Sequence, residues 1–130
     1  IIFAYKTELC GLIAEHLAAA YPHLDVRRYV AEDPIENMND PDIRVTTLGS
    51  GSTAHDIARL KTAIMTVNVD SLQSNIQAFG RLRKIEGLTP RFYYFTCADV
   101  PKHMTYHDSK LVILQERALN FNYIQPPFSV

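Results

Sequence analysis

Short apolar runs recur along this chain with helix-period segments between them, and that alternation most restricts what it can fold into. Ile1 to Tyr5 reads as a buried strand. Thr7 stands where a capping hydroxyl is favoured, ahead of Leu9, Leu12, Ile13 and Leu17, which follow the 3.6-residue period, and Pro22 lies beyond the predicted helix end. Val26 to Val30 is the next predicted strand. From Ala31 to Asp42 the chain carries Pro34, Pro41 and a surplus of Asp, Glu and Asn, so only a short helical turn is expected there. Further strands are predicted over Ile43 to Leu48, Lys61 to Val67 and Arg91 to Thr96, and helices over Ser71 to Lys84 and Thr105 to Leu119. The unbroken aromatics Phe92, Tyr93, Tyr94 and Phe95 suit a strand buried on both faces and not a base-stacking platform. Strands separated by helices pair in parallel through crossovers, so the expected class is α/β, three layers with helices on both sides of a mostly parallel sheet.

Composition bounds the answer without selecting a function. With 130 residues, 47% of them hydrophobic and 21% charged, the chain is expected to form one domain over residues 1–130 around one core. A formal net charge of −1 gives no global basic field to gather nucleic acid, so any such binding must come from a local face. Cys10 and Cys97 fall in an apolar helix and at the end of an apolar strand, which suits reduced core thiols in a cytoplasmic setting rather than a disulfide framework. No apolar run approaches the roughly 20 residues that span a bilayer. The chain opens on Ile1-Ile2-Phe3 without an initiator Met, which is expected of a domain excised from a longer polypeptide.

The stretch from Asn75 to Lys84 sets a polar hydrogen-bonder, a glycine and clustered cations on one predicted helix. At about 100° per residue, Gln77, Arg81 and Lys84 project within roughly 60° of one another, while Leu72, Ile76 and Phe79 make the apolar side. Gly80 leaves room for a close approach. Cations alone would equally serve a solvated helix end, complementing the C-terminal dipole. Gln77 beside Arg81 is what turns the pattern toward phosphate chemistry.

Gln77-Ala78-Phe79-Gly80-Arg81 resembles motif VI of superfamily 2 helicases. Thr47 to Leu60, with its run Gly49-Ser50-Gly51-Ser52-Thr53-Ala54-His55-Asp56, is similar to motif V in the Ser/Thr-rich form of phage recombination and replication helicases, and Ile1 to Thr7 is similar to motif IV. The resemblance covers roughly Ile1 to Cys97 and implies the second, C-terminal RecA-like domain of a DNA helicase or translocase. It implies Arg81 and Arg83 as catalytic cations at the γ-phosphate. Asp56 would lie at the ribose, with Gln77, Gly80 and Lys84 at the nucleotide. It implies Thr46, Thr47, Gly49, Ser50, Ser52 and Thr53 as nucleic-acid contacts, in a loop whose small residues free backbone N–H groups for oxygen ligands. The family places a second arginine three residues after the first, where this chain has Lys84, with Arg83 one residue early; Arg81 therefore ranks first. Ala54 replaces a glycine common in motif V. ATP and Mg²⁺ would be held mainly by an N-terminal RecA-like domain, since the chain has no Gly-x-x-x-x-Gly-Lys-[Ser/Thr] loop and no apolar strand ending in Asp-Glu. The implied partners are that domain and DNA, with RNA the alternative and no membrane. The isolated chain is expected to be inactive, and a phage source would place it in the host cytoplasm.

Other readings compete for the same residues. Gly49 to Ala54 also satisfies the dinucleotide fingerprint Gly-x-Gly-x-x-Gly/Ala after a strand, with Asp70 about 20 residues on. A Rossmann-type domain would need a full crossover helix, and only Ala54 to Leu60 is available for it. Gly49 to Thr53 would serve as an ordinary tight surface turn, with Asp56 capping a short helix. A RecA-like interaction module without motor function is the third alternative. Cys97, Asp99, His103 and His107 have metal-ligand character, but Pro101 interrupts the segment, so Lys102, His103 and His107 are expected at the surface of a helix entrance.

Overall fold

The structure is a computed structural model that describes residues 1–52, 60–67, 90–95 and 99–117. Its centre is a five-stranded sheet made of β1 (Ile2–Ala4), β2 (Val26–Tyr29), β3 (Ile43–Thr47), β4 (Thr62–Met65) and β5 (Arg91–Tyr94). The strand order is β2-β3-β1-β4-β5 and every pairing is parallel. Between and after the strands run α1 (Thr7–Ala20), α2 (Glu36–Asn39), α3 (Leu48–Ser52) and α4 (Pro101–Arg117). The fold is α/β, as the alternation predicts, and is consistent with a RecA-like α/β/α domain.

Side-chain alternation along the strands divides the core in two. On one face Ala4 and Val45 pack with Cys10 and Ala14 of α1, supported by Ile2, Ile13 and Val26. On the other, Phe3, Ala63 and Met65 pack with Met38 of α2, and Leu48 of α3 joins them. The connections explain this split. From β1 the chain moves two places toward one edge to reach β2, then returns in the opposite direction to β3, and right-handed crossovers in opposite directions put their helices on opposite faces. Cys10 is a buried free thiol, and burial pushes its pKa up, which keeps it protonated and inert.

Several element ends differ from the sequence expectation. α1 begins at Thr7, with Lys6 in the capping position and no side-chain hydrogen bond there, so Thr7 is the first helical residue rather than the cap. Its end is as expected: Tyr21 N–H closes onto the Leu17 carbonyl at 2.8 Å, ahead of Pro22. β2 stops at Tyr29 because Asp33 folds back on it, accepting from Val30 N–H at 3.0 Å and from Nε and Nη2 of the Arg28 guanidinium at 3.1 Å each. The acidic segment that follows does hold one short helical turn, α2, anchored by the fully buried Met38. α4 starts at Pro101, not Thr105, since a proline lacks only an N–H that the first turn cannot use. β5 is an edge strand among the described residues, with Phe92, Tyr93 and Tyr94 half-buried instead of enclosed on both faces. The predicted helix Ser71 to Lys84 lies outside the described residues.

Candidate functional site

β1 and β3 are neighbours, and Ala4 of β1 is in register with Thr47 of β3, so both strands end together on the carboxyl edge of the sheet. From there the chain departs to opposite faces, into α1 after β1 and into α3 after β3. The ends of strands at such a divergence are where open parallel sheets hold their ligands. β4 is tied into the same edge by Thr66, whose N–H and hydroxyl both donate to the Phe3 carbonyl, at 3.1 and 2.7 Å.

The sequence-predicted residues fall on this edge in different ways. Thr46 is fully buried in the sheet, with its hydroxyl donating to the Thr47 carbonyl at 3.3 Å, so it offers no surface to a nucleic-acid backbone and is corrected from contact to core residue. The reason is its place inside β3, where both faces of the sheet are covered: Thr46 is in register with Phe3 on one face, and Val45 before it is buried on the other. Thr47 is half-buried at the rim, and Gly49 is exposed. Instead of an open loop with free N–H groups, residues Leu48–Ser52 form the helical turn α3. Thr47 caps it, its Oγ accepting from Ser50 N–H at 3.2 Å, so that N–H is already used. Ser50 is half-buried and Ser52 ends α3. Gly49 and Gly51, two positions of the dinucleotide fingerprint, lie within this turn, and Ala54, its last position, lies outside the described residues. Thr53, Asp56, Gln77, Gly80, Arg81, Arg83 and Lys84 lie outside the described residues, as do Asp70 and Cys97.

Sequence reading passed over two features. Tyr5 and Lys6 stand at the end of the central strand, Tyr5 71% exposed and Lys6 with its ammonium 6.0 Å from the Tyr5 ring. An aromatic-cation pair directly after a buried strand was the available signal. The second is His107, expected at the surface but buried, with its Nδ1 2.7 Å from the Tyr94 hydroxyl. This bond joins α4 to the end of β5, and no spacing rule links two residues on different elements. Among the described residues no group of three His, Cys, Asp or Glu side chains is placed to hold a metal ion. Nor is any described helix long and apolar enough to cross a membrane.

No protein-family model and no curated protein matches this chain.

Proposed function

We propose that this chain is the second RecA-like domain of an ATP-dependent superfamily 2 DNA helicase or translocase. The observation that carries the reading is the adjacency of β1 and β3, which brings the motif IV-like end at Tyr5 to Thr7 beside the motif V-like Thr47 to Ser52 on one edge. In this reading ATP and Mg²⁺ sit between this edge and an N-terminal RecA-like domain that supplies the phosphate loop. Arg81 neutralises charge developing on the γ-phosphoryl group, with Arg83 and Lys84 as further cations and Gln77 and Gly80 beside them. Asp56 accepts a hydrogen bond from the ribose. Thr47, Gly49, Ser50, Ser52 and Thr53 face the nucleic-acid backbone, and domain closure moves that backbone along.

A polypeptide carrying both domains tests this. Turnover of ATP should rise on adding DNA and fall by orders of magnitude with Arg81→Ala, while the 130-residue chain alone should hydrolyse nothing above a mock preparation. Turnover by the isolated chain, or a two-domain protein indifferent to DNA and RNA alike, would remove the proposal.

A further inference from the structure

β2 ends the sheet among the described residues, with β3 on one side and no described strand on the other. An edge strand carries a row of backbone N–H and C=O groups ready to pair with another chain. The Asp25 carbonyl accepts from Ile43 N–H at 3.1 Å, so it points toward β3. Backbone groups alternate in direction along a strand, which sends those of Arg27 and Tyr29 the same way and those of Arg28 and Val30 outward.

The two outward groups that flank Tyr29 are already taken. The Arg28 carbonyl accepts from Asn37 Nδ2 at 3.0 Å, and Val30 N–H donates to Asp33 Oδ2 at 3.0 Å. One residue of a parallel added strand would use this same pair, donating its N–H to the Arg28 carbonyl and accepting from Val30 N–H. The Asn37 amide and the Asp33 carboxylate thus stand in for the N–H and the C=O of a neighbouring strand residue. Both are held in place. Asp33 also accepts from Nε and Nη2 of Arg28, and Asn37 precedes Met38, which is fully buried in the core. A turn that merely ended β2 would need only the Asp33 contacts, not a donor to the Arg28 carbonyl from nine residues away.

We propose that residues 30–39 form a strap that keeps the carboxyl half of the β2 edge from adding a strand, and that breaking it lets two copies of this chain pair through β2. Sedimentation velocity over a concentration series, with hydrogen exchange at the Val30 amide, is the test. The parent should stay a monomer, and its Val30 amide should exchange about tenfold more slowly than in an open chain, one hydrogen bond's worth. Asp33→Ala combined with Asn37→Asp removes the acceptor and the donor together. This double variant should lose the protection at low concentration and dimerise as concentration rises. Asp33→Asn keeps an oxygen for Val30 N–H and should behave as the parent. Unchanged circular dichroism separates pairing of folded copies from aggregation of unfolded ones. A double variant that is folded and stays monomeric, or a parent that dimerises equally, overturns the strap. Should the double variant fail to fold, the parent decides: a Val30 amide exchanging at the open-chain rate overturns the strap, and a protected one supports it.

Discussion

Arg44 buries a charge inside the sheet. Its guanidinium is buried in β3, where one nitrogen donates to the Pro41 carbonyl and Nε has no hydrogen-bond partner. Burial lowers its pKa, and Asp42 acts in the opposite sense. Arg44→Met should leave stability equal or higher in urea unfolding, since an apolar side chain replaces a charge whose desolvation is not repaid. A loss above about 2 kcal/mol would show that the guanidinium is well paired after all.

At the scale of elements, α3 and α4 show how local chemistry sets what the strands can present. Thr47 caps α3, so Thr47→Val should cost about 1 kcal/mol, read as a lower melting temperature. Gly49 is not required by the backbone: a Cβ there would meet nothing within 4 Å. Gly49→Ala should therefore raise stability by up to about 1 kcal/mol through helix propensity. If nucleic acid approaches this turn, the same methyl should weaken binding, and a variant that is both more stable and equally good at binding would show that nothing comes close to Gly49. Tyr94→Phe should loosen α4 by about 1 kcal/mol, visible as faster amide exchange along that helix, because His107 is left buried without this partner. The strand interiors were legible in the sequence because apolar runs such as Ile1 to Ala4 and Ala63 to Met65 must be buried wherever they sit. Ends were not, since each depends on a partner from elsewhere. Asp33 folding onto Arg28 and Val30 ended β2 early, and Pro101 served as a first helical residue where its ring suggested a break. Thr46 and Thr47 look interchangeable in sequence, yet one residue of register puts the first in the core and the second at the rim.

For the whole molecule, strand alternation predicted a parallel sheet but not its order, because each crossover's direction is decided by which neighbour its strand finds. The order β2-β3-β1-β4-β5 is what brings Ala4 and Thr47 together and sends α1 and α3 apart, and from it the candidate edge follows. The residues expected to complete that edge, from Asp56 through Lys84, are readable only as motif and spacing. Their role is therefore best separated from structure by kinetics. In a polypeptide that also carries a phosphate loop, Arg81→Ala should leave folding and nucleic-acid binding intact while stimulated ATP turnover falls by about 10³ to 10⁵, the contribution of an arginine that acts on the transition state. A guanidinium is permanently charged and offers two parallel donors to a phosphoryl group. Arg81→Lys keeps the charge and loses the fork, so it should recover only part of the rate. Arg83→Ala fixes the order of the two cations: should it abolish turnover while Arg81→Ala stays within about threefold of the parent, a change smaller than one hydrogen bond provides, Arg83 is the finger and the assignment of Arg81 fails. Loss of folding in both variants would instead give the pair a structural role.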